Sequence, residues 1–136
     1  MTDEAPAPRL RDVAAILTPE QQVDLKATDA PDFYQNLDVE YGGFAGHALI
    51  SEHAFSSDWG TWERHPAGDE FIYLLEGQVE FVCHTGDGET VTRLDTPGQF
   101  VVVPRNVWHT ARTSVPTRAL FVTPGAGTQH CDDPRL

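Results

Sequence analysis

The sequence predicts an all-β domain, either a sandwich or a small closed barrel. From about residue 38 onward, short runs rich in β-branched and aromatic residues follow one another, some alternating with period two and some continuous. Gly, Pro, Asp and Asn separate these runs at close intervals, the texture of many short strands rather than of long helices. The chain has 136 residues, 40% of them hydrophobic and 22% charged, which is one domain's worth of chain with enough apolar side chains for a core.

Taken in order, residues 1–8 contain Asp3, Glu4, Pro6 and Pro8 and almost nothing to bury, so they read as a disordered lead. Residues 9–26 are the plausible helical stretch. Asp12 can cap Val13–Leu17, and Thr18-Pro19-Glu20 has the N-cap, first-position and first-turn-acid pattern of a second short turn. The organisation expected is a short, partly helical N-terminal arm over 1–37, a β-barrel over 38–123 and a Gly-, Pro- and Asp-rich tail over 124–136 that wraps the surface or frays. Candidate strands are Gly46–Phe55, Phe71–Leu75, Gln78–His84, Thr90–Leu94, Phe100–Val103, Trp108–Thr113 and Arg118–Val122. The Thr85-Gly86-Asp87-Gly88-Glu89 turn tolerates positive φ and joins two of them as a hairpin, while Glu76-Gly77 and Pro97-Gly98 mark two further tight corners.

Composition removes several classes of function. With 21 acidic and 9 basic side chains the formal charge is −12, so phosphate backbones and anionic lipid are repelled, and neither nucleic acid nor a membrane surface is an expected partner. No apolar run approaches the roughly 18 residues of a spanning helix. The opening MTDEAPAPRL is acidic and proline-bearing where a signal peptide is cationic and then apolar. A soluble, cytoplasmic protein is expected. Cys83 and Cys131 are too few for a disulfide framework and read as a buried small residue and a tail thiol.

The chemistry concentrates in two places. In extended chain, Glu63 and His65 share one face and Arg64 takes the other. After the Pro66-Ala67-Gly68 corner, Glu70 shares a face with Ile72 and Leu74, which points its carboxylate inward, where an anion needs a proton, a partner or a cation. His109 lies 44 positions beyond His65 and shares its face with Val107 and Ala111. Two imidazoles and a carboxylate converging inside a barrel form a divalent-metal site with open positions. Each residue also has an ordinary reading by itself: a turn histidine, a solvated strand-end acid and a hydrogen-bonded core histidine. Trp108 and Tyr73 alternate to the outer face, Phe44, Phe100 and Phe121 fit either side, and His47, His53, His84 and His130 lack partners at ligand spacing.

Together these spacings resemble the cupin superfamily. Its first motif runs Gly, five residues, His-x-His, three or four residues, Glu, six residues, Gly; here His65, four residues, Glu70, six residues and Gly77 match. Its second runs Gly, five residues, Pro-x-Gly, two residues, His, three residues, Asn; here Gly98, five residues, Pro104-Arg105-Asn106, two residues, His109, three residues and Thr113 stand in that order. The resemblance implies a cupin-type double-stranded β-helix, jelly-roll-like, with metal-ligand roles for His65, Glu70 and His109. Asn106 for Gly is a mild departure, because Asn tolerates a left-handed turn. Glu63 stands where the family usually has its first histidine. It reads three ways: a fourth ligand through oxygen, a general base beside the metal, or an ion-pair partner of Arg64 or Arg105.

The expected cofactor is one divalent ion, iron, manganese, zinc or nickel, since a site with two carboxylates disfavours soft Cu(I). Arg105 and Arg112 flank His109 and are candidate substrate-binding residues, because a guanidinium forks onto carboxylates. The function expected is a metal-dependent enzyme on a small polar metabolite, of oxygenase or isomerase/lyase type, with Glu63 catalytic. The alternative is a non-catalytic small-molecule-binding or sensor cupin, with or without metal. Open barrel edges and outward aromatics add a homodimer.

Overall fold

The structure is a computed structural model that describes residues 4–136. Its elements are β1 (Val13–Leu17), β2 (Val23–Ala27), α1 (Phe33–Glu40), β3 (Ala48–Phe55), β4 (Trp62–Arg64), β5 (Glu70–Glu76), β6 (Val79–Thr85), β7 (Gly88–Leu94), β8 (Phe100–Val103), β9 (Trp108–Arg112), β10 (Thr117–Thr123) and β11 (Gln129–Cys131). They form two antiparallel sheets in the orders β2-β1-β3-β10-β5-β8 and β11-β4-β9-β6-β7. From β3 onward the chain changes sheet at every connection except the β6–β7 hairpin, which is the wrapping of a cupin-type barrel. All seven expected strands are present, and β6 and β7 pair as the expected hairpin down to Thr85 opposite Gly88.

Alternation decides which residues face in. On β5, Glu70, Ile72 and Leu74 are buried while Phe71, Tyr73 and Leu75 are half-buried on the outer side. Ile72, Leu74, Val79, Phe81, Leu94, Val103, Ala111, Ala119 and Phe121 make one continuous core between the sheets, with Phe55, Trp59 and Val107 against it. Each large side chain so buried contributes about 1.5–3 kcal/mol. Cys83 lies in this core, and Cys131 is half-buried; both are free thiols.

The arm corrects the helical expectation over residues 9–26. Val13–Leu17 is a strand with Ala14 and Ile16 fully buried, paired to β2 on one side and β3 on the other. Thr18-Pro19-Glu20 is the turn of that hairpin instead of a helix start. The Gln21 N–H donates to Thr18 O, the Gln22 N–H to Thr18 Oγ1, and Gln21 takes a positive φ of 68°. The helix comes later, over Phe33–Glu40, where Leu37 packs with Ala14, Ile16, Phe44 and Leu49 in a second cluster. For the expected disordered lead, residues 1–3 lie outside the described residues, and residues 4–8 are exposed without regular structure. The tail does not simply wrap the outside: β11 pairs with β4, placing His130 opposite Glu63.

Two tight corners hold the barrel in register. Gly77 has φ of +90°, and a Cβ there would sit 2.3 Å from Pro116 O, so no other residue fits. Asn106 takes φ of 62°, the left-handed conformation expected of it. The outer face of the six-stranded sheet is apolar right across: Leu25, Ala15, Ile50, Val122, Phe71 and Val102 are register neighbours in one row through all six strands. Among the described residues, no helix is long and apolar enough to cross a membrane.

Candidate metal centre

Four side chains from three strands and a connecting turn meet at one end of the barrel. Glu63 comes from β4, Glu70 from β5, His109 from β9, and His65 follows β4 directly. One ligand atom from each can be chosen so that all four lie within 4.8 Å of one another. The antiparallel pairing of Glu63 with His109 brings two of them together, although 45 residues of chain separate them. His65 Nε2 lies 3.5 Å from Glu63 Oε1 and 3.3 Å from Glu70 Oε2. His109 Nε2 lies 3.5 Å from Glu63 Oε1 and 3.0 Å from Glu70 Oε1. His65, Glu70 and His109 are 4%, 2% and 0% exposed. The Glu63 side chain is 22% exposed and is the member that opens outward.

The outer hydrogen bonds fix which nitrogen of each ring faces the centre. His109 Nδ1 lies 3.2 Å from Val107 O, and a carbonyl only accepts, so Nδ1 carries the proton and the neutral ring turns an Nε2 lone pair inward. Thr128 Oγ1 donates to Gly125 O and accepts from His65 Nδ1 at 2.8 Å, with the same result. Thr123 Oγ1 donates to Glu70 Oε2 at 2.6 Å. Such partners orient metal-ligating histidines and carboxylates. His65 Nε2, His109 Nε2 and Glu70 Oε1 are buried with no hydrogen-bond partner, although carboxylate oxygens lie 3.0–3.5 Å from both nitrogens. Buried polar atoms left this way are rare and costly. Two inward imidazole lone pairs beside two carboxylates are a donor set that a divalent ion fits.

Without a cation, charge balance falls to protons. Burial pushes the His65 and His109 imidazoles down, but facing Glu63 and Glu70 outweigh it and hold both up at about 9. Burial likewise raises Glu63 and Glu70, and the two histidines more than reverse this, holding both below the ordinary carboxylate range.

The cluster forms the floor of a cavity of about 750 Å³. One wall is aromatic: the Trp59 ring stands 5.7 Å from Phe55, 6.0 Å from Phe121 and 6.4 Å from His109 between centroids. Across it, α1 contributes Tyr34, whose hydroxyl is 3.5 Å from His53 Nε2. The tail contributes His130, with Nε2 3.3 Å from Glu63 Oε2. His53, His130 and Thr128 carry no signal in the local sequence, since their importance comes from where β3 and β11 bring them.

Glu63 is not the ion-pair partner of Arg64 or Arg105. Arg64 lies on the outer face, its guanidinium 4.5 Å over the Trp108 ring and hydrogen-bonded to Gln129, as alternation against Glu63 requires. Neither Arg105 nor Arg112 lines the cavity. Arg105 is exposed, its guanidinium donating to Ala67 O while its N–H donates to Asp69 Oδ1. With the Asn106 N–H to His65 O bond, it clamps the second motif's turn onto the first. Arg112 projects from the opposite face of β9 to His109, into a separate shallow depression shared with Asp58, Glu80 and Arg93.

This is a two-sheet β-barrel with a His/Glu cluster able to hold a metal ion at one end. The chain belongs to the cupin family: the cupin domain model matches residues 55–123. No curated protein matches it. Among solved structures, a cupin-2 domain containing protein from Shewanella frigidimarina is similar at 17% identity and a TM-score of 0.45, over 57% of this chain and 70% of that one. Oxalate decarboxylase from Bacillus subtilis is similar at 14% identity and a TM-score of 0.51, over 62% of this chain and 24% of that one. An oxalate oxidase is similar at 15% identity and a TM-score of 0.51, over 60% of this chain and 44% of that one. The chain thus spans less than half of either oxalate enzyme, and these likenesses bear on fold. Bacillus subtilis oxalate decarboxylase contains Mn(II) centres.

The imidazole pKa values give the centre a pH signature. Below about pH 9 an entering ion must displace protons from His65 and His109. Metal affinity therefore rises with pH, up to about tenfold per unit for each proton displaced, and levels off above about 9. Titration calorimetry of Zn²⁺ or Mn²⁺ at pH 7, in buffers of different ionisation enthalpy, should show about one to two protons released per ion. Release of none would mean that the two imidazoles are not ligands.

Proposed function

We propose that the chain is a divalent-metal cupin enzyme acting on a small metabolite that is polar at the end meeting the metal, by oxygenase or isomerase/lyase chemistry. The observation that carries this reading is the pair of buried, partnerless imidazole nitrogens facing two carboxylates at the floor of an open cavity. His65, His109 and Glu70 hold the ion, and Glu63 adds Oε1 as the fourth donor. When bound, the ion supplies Lewis acidity or, as iron, redox chemistry with dioxygen.

The chain's own groups do the rest. Thr128, Val107 O and Thr123 hold the ligands in orientation. Of the two carboxylates in the cluster, Glu63 is the one that opens outward, and its second oxygen faces His130, which is 58% exposed in its side chain. That pair is placed to pass a proton between a bound substrate and solvent. Trp59 and Phe121 exclude water from one side.

Elemental analysis of the purified protein should find about one divalent ion per chain and none in a His65→Ala, His109→Ala double variant. Glu63→Gln should keep an ion, bound less tightly, while turnover of an identified substrate falls by about 10²–10⁴. Metal retention with no change in turnover would remove the catalytic role of Glu63. Metal with no turnover of any candidate would favour the binding or sensor module.

We also propose that the chain pairs with a second copy through the outer face of its six-stranded sheet. Phe100 and Val102 at the β8 end are 56% and 48% exposed, and Val23 and Leu25 at the β2 end 57% and 58%. The charged side chains Arg11, Glu52, Arg118 and Glu76 pair with one another at this face, two of each sign, so the patch adds no net charge in a chain of −12. Phe100→Glu with Val102→Glu should turn a dimer into a monomer in sedimentation analysis without loss of metal. A monomeric parent protein would contradict the pairing.

A further inference from the structure

We propose, resting on the metal-site reading above, that this cavity takes a ligand with one oxygen-donor end, an aromatic or aliphatic body and no more than one negative charge, and that it disfavours dicarboxylates such as oxalate. The oxalate enzymes share the fold, but the walls here are built for a different guest.

Charge is the first reason. Among the described residues, no lysine or arginine lines the cavity, while Asp38, Glu63 and Glu70 do. A divalent ion offsets Glu63 and Glu70, which leaves Asp38 uncompensated within a protein of formal charge −12. A dianion held by the ion through one carboxylate would point the other at walls that offer no permanent cation, only the His53 imidazole and a His130 imidazole already facing Glu63, so its second charge is poorly matched. Arg105 and Arg112, the arginines nearest His109 in sequence, are turned outward or tied to Ala67 and cannot serve.

Size and surface are the second reason. About 750 Å³ falls in the range that encloses drug-sized molecules, far more than a two-carbon diacid fills. Trp59, Phe55 and Phe121 offer an apolar wall that begins beside His109, so a molecule with its donor atoms at the ion lays its body on Trp59. The opposite wall comes from Tyr34, Leu37 and Asp38 on α1, outside the matched stretch 55–123. The arm, which lies outside that matched stretch, therefore sets much of the guest's shape.

The test uses manganese-loaded protein, its metal content measured first, and calorimetric binding of three probes: benzohydroxamate, acetohydroxamate and oxalate. Each affinity is referred to that of the same probe for aqueous Mn²⁺. Benzohydroxamate should exceed acetohydroxamate by about tenfold or more, and Trp59→Ala should remove that margin while metal stays bound. Oxalate should bind less well than to the aqueous ion, and Tyr34→Arg, at a residue 59% exposed, should improve it about tenfold. Oxalate bound as tightly as by the aqueous ion, or no advantage for the aromatic ring, would overturn the inference and leave the metal centre standing. A preparation that takes up no manganese would overturn the metal reading instead. The charge preference is then read on the metal-free protein by tryptophan fluorescence: quenching by benzohydroxamate and not by oxalate supports it, and the reverse overturns it.

Discussion

Two carboxylates and two imidazoles share a nearly dry end of a β-barrel, and their charges and lone pairs must be balanced within a few ångströms. A buried polar atom without a partner costs about 1–3 kcal/mol, and more if charged; the centre holds three such atoms. A chain selected for stability alone would fill this space with leucine or valine, as it does a turn further along the same strands at Ile72, Leu74 and Ala111. The barrel instead keeps four ionisable side chains together there, a donor set able to hold a metal ion.

Much of the surrounding structure serves that arrangement. β4, β5 and β9 come from both sheets, so the cluster exists only once the barrel has closed. The Pro104–Val107 turn is bonded to His65 itself, coupling the two halves of the cluster through Asn106 N–H to His65 O. The tail then returns as β11 to supply Thr128 and His130, and the N-terminal hairpin and α1 cover the second hydrophobic cluster and wall the cavity. Core, corners and termini thus converge on orienting three strand-borne side chains and one turn histidine.

The barrel strands and the convergence of Glu63, His65, Glu70 and His109 were legible in the sequence because both follow from local rules. Period-two alternation decides that Glu70 and His109 face in and Arg64 faces out, and a left-handed corner selects Asn106. Arg112 lies an odd number of residues from His109, so the same alternation assigns it to the outer face; Arg105 is separated from His109 by the Asn106 turn, which breaks the pattern. The arm was misread because Val-Ala-Ala-Ile-Leu suits a helix or a strand equally, and pairing with β3, a partner more than thirty residues away, decides between them. His53, Thr128 and His130 were hidden for a related reason: nothing near them in sequence marks them, and only long-range strand pairing brings them to the site.

The most direct measurement of the central claim is anomalous diffraction at the manganese or zinc absorption edge, from crystals of the protein equilibrated with that ion. The account predicts one strong anomalous peak inside the barrel, about 2.0–2.3 Å from His65 Nε2, His109 Nε2 and a Glu70 oxygen. A map with no peak there, and with both rings donating hydrogen bonds to the carboxylates, would show that the four side chains are a self-contained ionic cluster and not a metal centre.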